Sequence, residues 1–234
     1  MSESMTSDEE RGLSEGSAIY HRYAEVYGLF SQAEDAPKKV AEWIIPKIRG
    51  KAVLDIGCGG GKYAGLLASE AIGYFGIDSS YEQIGIAREA YPDGIFAQGC
   101  ASRLPVHSQS VDTAIAAWAI GSIRGDRRRQ NAIMEAGRVV RPGGCIYLVE
   151  NDDCGEFQSI RGEEYLVKSS AYNTWLIEQG FSVADRVKTY FEFSTINCAK
   201  MVFEMIWGKT VSDNISNRMI GHDILIFTKE VAHE

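Results

Sequence analysis

The sequence predicts an α/β protein, with a mostly parallel sheet carrying helices on both of its faces. Three observations support this. Short apolar runs alternate with stretches of helical periodicity across much of the chain, the pattern of repeated strand–helix units. The apolar runs are continuous, as strands buried on both sides require. The first run ends in Gly57-Cys-Gly-Gly-Gly61, and glycines there mark a tight strand-to-helix turn.

Ala36 to Ile48 reads as a helix with Val40, Trp43 and Ile44 on one face. Lys51 to Ile56 is the first strand, Gly60 to Ser69 a helix, and Ile72 to Asp78 the second strand. Tyr81 to Ala90 is a helix stopped before Pro92. Gly94 to Gln98 and Val111 to Ala117 are the third and fourth strands. Arg127 to Val140 is a helix halted by Arg141-Pro-Gly-Gly144, and Cys145 to Val149 is the fifth strand. Beyond it the pattern is less regular. Glu163 to Gln179 looks helical, Phe181 to Phe193 extended, Ala199 to Trp207 helical and Asp223 to Thr228 extended. A strand, a helix and a returning strand make an antiparallel edge pair. The sheet therefore has seven strands, one of them antiparallel near the C-terminus.

The 234 residues, 45% apolar and 24% charged, can bury a full core without metals or disulfides. The net charge of −8 opposes general binding to nucleic acid, which needs a basic surface. The one basic run, Arg127-Arg128-Arg129, reads as a solvated helical turn. No apolar stretch of ~18 residues exists, so no membrane span is expected. Met1 to Glu10 is polar and acidic and is not a signal peptide. Residues 1–16 are expected to be a disordered tail, and 17–234 one domain. The five cysteines form no C-x-x-C pair, which fits a reduced, cytoplasmic setting and no metal site.

In an open parallel sheet, ligands sit beyond the carboxyl ends of the strands where strand order reverses. The residues just after each strand are therefore the informative ones. The glycine loop lets backbone approach a ligand closely. Asp78, at the end of the second strand, can accept both hydrogen bonds of a ribose diol. Together they read as a nucleoside site. A dinucleotide fingerprint fails from Gly57, where the sixth residue is Lys62, but passes from Gly59, where it is Ala64. Asp55 argues against that reading, because a carboxylate before the loop repels a pyrophosphate and suits an ammonium.

These segments resemble the class I, Rossmann-like S-adenosylmethionine-dependent methyltransferases, in particular the group similar to ubiquinone/menaquinone-biosynthesis methyltransferases. That group's acidic residue and x-Gly-x-Gly-x-Gly are matched by Asp55, Gly57, Gly59 and Gly61. Its ribose acid is matched by Asp78, and its adenine loop by Gly99-Cys-Ala-Ser-Arg-Leu-Pro105. Val111-Asp112 and Arg138-Val-Val-Arg-Pro-Gly-Gly144 match its fourth strand and the entry to its fifth. The resemblance implies S-adenosyl-L-methionine as cofactor, released as S-adenosyl-L-homocysteine. It implies that Asp55, Gly57 and Gly59 hold the methionine part, Asp78 and Ser79 lie at the ribose, and Cys100 and Ala101 flank adenine. Ala117 is expected beside the cofactor as well. The family usually has Asp where this chain has Cys100. A thiol is a poor acceptor, and the lost bond costs about 1–2 kcal/mol if nothing replaces it.

Related enzymes fold an N-terminal aromatic helix over the cofactor. By that resemblance residues 17–48 form lid helices, 49–150 the cofactor-binding core, and 151–234 a part that covers the substrate. Tyr20 and Tyr27 are expected near the sulfonium; ordinary packing of these tyrosines is the alternative. His21 is the candidate general base. Trp118, after the fourth strand, either packs on a flat or cationic acceptor or belongs to the core. Glu150-Asn-Asp-Asp-Cys154 reads as a solvated loop or as a holder of an amine. His107, His222 and His233 are weaker base candidates. The aromatic segment Tyr165 to Trp207 covers the site, and no Asn/Asp-Pro-Pro-Tyr motif follows the fourth strand. With the acidic balance, this implies in-line transfer of a methyl group to O, N or C of a small molecule, by a monomer or homodimer. A tRNA or protein acceptor, and a non-catalytic cofactor-binding protein, are the alternatives.

Overall fold

The computed structural model describes residues 24–232. Two helices, α1 (Ala24–Ala33) and α2 (Lys39–Ile48), lead into β1 (Ala52–Ile56), α3 (Ala64–Ala68), β2 (Gly73–Asp78), α4 (Tyr81–Ala90), β3 (Ile95–Gln98) and β4 (Val111–Ala117). A 3-10 turn (Ile120–Ser122) precedes α5 (Asp126–Val139), β5 (Val140–Asn151), α6 (Glu156–Arg161) and α7 (Glu163–Glu178). The chain ends with β6 (Ser182–Glu192), α8 (Ile196–Trp207), α9 (Lys209–Asp213) and β7 (Met219–Glu230). The strands form one sheet in the order β3-β2-β1-β4-β5-β7-β6. Pairing is parallel from β3 through β5, and β7 is antiparallel to both β5 and β6. The predicted seven-stranded, mostly parallel architecture is therefore the observed one. The predicted tail, and Tyr20, His21, Tyr23 and His233, lie outside the described residues. No helix among the described residues is long and apolar enough to cross a membrane.

Strand alternation sorts the core into two layers. Leu54, Ile56, Ala114, Ile146, Leu148 and Phe227 face α5 and α7, where Ala132, Ile133, Ala136 and Leu176 meet them. Val53, Ile115, Val149, Ile224 and Ile226 face the opposite way, toward Val40, Ile44 and Ile48 of α2, Leu67 of α3 and Ile84 of α4. A third apolar cluster joins α1, α6, α8 and α9 to β6 and β7 through Phe157, Phe191, Phe203 and Ile220. Each fully buried phenylalanine there contributes roughly 2–3 kcal/mol.

Four elements depart from the sequence reading for local reasons. The helix expected from Gly60 begins only at Ala64, because Gly61 has φ +84° and cannot be helical. β5 starts at Val140, with its pairing to β4 broken between Val111 and Thr113. The Arg141-Pro-Gly-Gly144 run fills that break, with Arg141 on the Asp112 carboxylate at 2.6 Å. α6 and α9, with six and five residues, are too short to show a periodicity.

Two buried carboxylates tie elements together. Asp35 is fully buried with φ +50°. It accepts the Lys39 and Val40 amides that open α2, the Tyr63 hydroxyl at 2.8 Å and the Thr189 hydroxyl at 2.6 Å. It thus caps α2, since Lys38 offers no side-chain cap, and pins that helix to the loop after β1 and to β6. Glu150, at the end of β5, is 4% exposed. Its Oε1 accepts from Gly121 N at 3.3 Å and from the Tyr172 hydroxyl at 3.0 Å. Burial pushes its carboxyl up to about 8.

Removing the Asp35 carboxylate orphans four donors in the interior. Asp35→Ala should cost about 3 kcal/mol of unfolding free energy in a urea titration; a loss below about 1 kcal/mol would contradict the assigned role. Glu150 makes a pH-dependent prediction. In the unfolded chain it ionises above its ordinary 4.5, and in the fold only above about 8. Between those values the native state holds the extra proton, so the Glu150 contribution to stability falls as pH rises. Glu150→Gln keeps an acceptor oxygen and does not ionise. The stability of the variant relative to wild type should therefore climb from pH 4.5 to about 8, by on the order of 3 kcal/mol. A flat difference across that window would refute it.

Candidate functional site

A crevice opens where the strand order reverses, between the carboxyl ends of β1 and β4. Its floor is the loop after β1. Gly57 N and Cys58 N both donate to Ile77 O, at 2.7 and 3.1 Å, which folds the loop over the end of β2. Gly57 has φ +75°, and a Cβ built on it would lie 2.4 Å from Ala119 Cβ. Only glycine fits there, both for conformation and for space. Gly59, at φ +54°, donates its N–H to Asp78 Oδ2 at 2.9 Å, while Asp78 Oδ1 accepts from Ser80 N at 2.8 Å. The Ser80 hydroxyl accepts from Gln83 N and so caps α4.

The cavity in this crevice has a volume of about 530 Å³, within the range of small-molecule sites. Tyr27, Gly57, Gly59, Asp78, Ser79, Cys100, Ala101, Ala117 and Trp118 line it. These nine were all singled out from the sequence. Asp55 does not line it. That carboxylate is 4% exposed, beneath the loop, and accepts the Tyr74 hydroxyl at 2.6 Å. Burial raises it to about 6, with Asp78 adding to the rise and Tyr74 opposing it. The Oδ2 atom of Asp55 is thus engaged by Tyr74. His107 is exposed and away from the cavity.

Two lining residues carry groups that the sequence reading passed over. Gln83 lines the wall, and its Nε2 is buried with no hydrogen-bond partner. Ser102 Oγ lies 3.1 Å from Cys100 Sγ. It supplies a hydroxyl oxygen beside the position where the resembling family has Asp.

At its other end the cavity is closed by Trp118, which has φ +52°, a strained value for a bulky residue. Its indole Nε1 donates to Asn151 Oδ1 at 3.1 Å. The same oxygen lies 2.8 Å from His222 Nε2. Because indole nitrogen only donates, the shared Asn151 atom is the acceptor oxygen, and His222 carries its hydrogen on Nε2. The imidazole is sandwiched between Trp118, at 5.7 Å between ring centroids, and Phe191, at 4.6 Å. Burial, with Lys62 and Arg161 nearby, pushes its pKa well down, so it is neutral. Lys62 Nζ sits 4.5 Å above the Trp118 ring and 3.0 Å from Glu34 Oε2. Burial lowers the Lys62 ammonium and raises the Glu34 carboxyl, each against the pull of the other. The Glu150–Cys154 segment is not a solvated loop: Glu150 and Asp152 are buried, and Asp152 holds Arg186. His222, Asn151, Lys62 and Glu34 come from four separate segments, and no sequence motif joins them.

Residues 54–148 match the family model described as a methyltransferase domain. Among curated relatives, the chain is 33% identical over 139 residues to a tRNA (carboxymethyluridine(34)-5-O)-methyltransferase of Macaca fascicularis, covering 59% of this chain and 20% of that protein. It is 33% identical over 122 residues to a demethylmenaquinone methyltransferase of Chlorobaculum parvum, covering 50% of this chain and 46% of that one. The chain therefore spans less than half the length of either relative. A crystal structure of a S-adenosylmethionine-dependent methyltransferase from Methanosarcina mazei superposes with a TM-score of 0.56 at 21% identity, over 80% of this chain and 97% of the other. The stretch from Leu54 to Leu148 thus matches a methyltransferase domain, on a fold shared with a S-adenosylmethionine-dependent methyltransferase of known structure.

Proposed function

We propose that this chain transfers a methyl group from S-adenosylmethionine to O, N or C of a small-molecule acceptor, by direct in-line displacement. The observation that carries this reading is one cavity lined together by the glycine loop, by Asp78 and by the Cys100–Ala101 turn. S-adenosylmethionine supplies a methyl carbon that is already electrophilic. What remains for the protein is to bind, to orient and to exclude water.

In this reading the Asp78 carboxylate accepts from the ribose hydroxyls, and the idle Gln83 amide donates to a ribose oxygen. Ala101 and the Ser102 hydroxyl meet adenine, Ser102 standing in for the acceptor that Cys100 lacks. Tyr27, Ala117 and Trp118 enclose the end of the cavity where the methyl group leaves. A small acceptor is favoured by the net charge of −8. A macromolecular acceptor has one observation in its favour: Arg124, Arg127 and Arg128 line the same cavity, and a tRNA-modifying enzyme is among the relatives.

Calorimetry with S-adenosylhomocysteine and with NAD tests the cofactor reading. The first should bind and raise the melting temperature; stabilisation by NAD alone would overturn it. Asp78→Ala should weaken S-adenosylhomocysteine ten- to hundredfold, about 1.4–2.7 kcal/mol, and Gln83→Leu severalfold. The acceptor class is read by incubating the protein and labelled S-adenosylmethionine with a small-molecule extract or with bulk tRNA. Label should enter the extract; label confined to tRNA, with uptake falling steeply as salt rises, would favour the macromolecular reading.

A further inference from the structure

One buried cation near this site has no use in the scheme so far. Arg161 closes α6 with its side chain turned into the interior. One guanidinium nitrogen donates to Gln158 Oε1 at 2.6 Å, but Nε is buried with no partner. Among the described residues Arg161 makes no ion pair. Its guanidinium is instead walled by rings, with Phe157, Tyr165 and Trp207 at 4.2, 4.9 and 5.6 Å from centroid to carbon. Burial lowers its pKa only to about 10, so it stays charged at neutral pH. Glu34 acts on it electrostatically but is held by Lys62, and a buried guanidinium with an idle N–H is costly to keep.

The neighbourhood places this cation behind the acceptor end of the cavity. Phe157 packs edge-on against His222 at 4.8 Å, and His222 stacks on Trp118. His222 Nδ1 is a second buried polar atom with no partner. With Nε2 donating to Asn151, Nδ1 presents a lone pair and takes an N–H or O–H.

We infer that Arg161 anchors an acceptor subsite for a carboxylate carried on an aromatic body, with His222 Nδ1 receiving a hydroxyl or N–H of the same molecule. The aromatic walls suit a flat apolar body. A single guanidinium, already sharing one nitrogen with Gln158, balances a planar monoanion through side-on hydrogen bonds; a dianionic phosphate would leave net charge buried. This rests on the small-acceptor reading above and narrows it.

The test uses matched probes on the full chain saturated with S-adenosylhomocysteine: 4-hydroxybenzoate, salicylate and indole-3-acetate, each against its carboxamide, by calorimetry. At least one acid should bind tenfold or more tighter than its amide. Arg161→Met, which keeps the stem against the rings, should erase that preference, and Arg161→Lys should restore part of it. No acid outbinding its amide, or a preference that survives Arg161→Met, would overturn the inference. Should Arg161→Met not fold, the Arg161→Lys variant with the same probes decides, since a preference undiminished by the shorter point charge also counts against it. Failure to bind S-adenosylhomocysteine at all would instead count against the cofactor reading, so the two failures are distinguishable.

Discussion

The contact between Gly57 and Ala119 sets the geometry on which the site depends. At this point the backbone leaving β1 passes so close to the loop leaving β4 that a single added Cβ would sit 2.4 Å from its neighbour. The two loops then diverge because β1 connects toward β2 and β4 toward β5, on opposite sides of the reversal. The crevice is the space left by that divergence. A glycine at position 57 is therefore both a turn residue and the condition for the two strand ends to lie side by side. The hydrogen bonds from Gly59 to Asp78 and from Gly57 and Cys58 to Ile77 fix the loop against β2 before any ligand arrives. Such preorganisation spares binding part of its ordering cost.

Behind Trp118 lies a layer of buried polar groups, and it is satisfied unevenly. Asp35 has four donors, and Glu34 and Lys62 neutralise each other. Asn151 Oδ1 serves two donors at once while its backbone oxygen takes Asn173. This network holds the indole in a strained conformation that propensity alone would not choose. Against it, Gln83 Nε2, Arg161 Nε and His222 Nδ1 have nothing. In a well-packed interior most polar atoms are paired; among the described residues Thr113 Oγ1 and Asn173 Oδ1 are idle as well, and of the five residues only Gln83 lines the crevice.

Much of the fold was legible because its signals are local. Strand ends, the glycine loop, Asp78 and the Leu104-Pro105 turn sit within short windows whose periodicity or punctuation identifies them. α4 and β4 were placed to the residue, at Tyr81–Ala90 and Val111–Ala117. The burial of Asp55 was not legible, because a sequence cannot say that Tyr74, one strand over, bonds one of its oxygens. His222 was discounted for its distance along the chain. Yet the antiparallel return of β7 pairs Asn151 with Ile224 and brings His222 to the tip of β5. Arg161 lay in a stretch with no readable element, since α6 spans six residues. What was missed is what tertiary pairing creates.

The matched family segment spans residues 54–148 and holds most of the cavity lining, Trp118 included, and the neighbouring Lys62. Within it lie Gly57, Gly59, Asp78, Gln83, Cys100 and Ala101, the lining residues we propose for the nucleoside. Outside it lie Tyr27, Glu34, Asn151, Arg161 and His222, the groups around and behind Trp118. Relatives of this chain include one named for a tRNA and one for demethylmenaquinone, so likeness to them does not choose an acceptor. The choice falls to the flanking segments, where buried charge is expensive and each polar atom must find a partner. A cofactor shared by a whole family demands a conserved geometry, whereas an acceptor demands only a local balance of charge and hydrogen bonds. In this chain that balance is left open at Arg161 and His222.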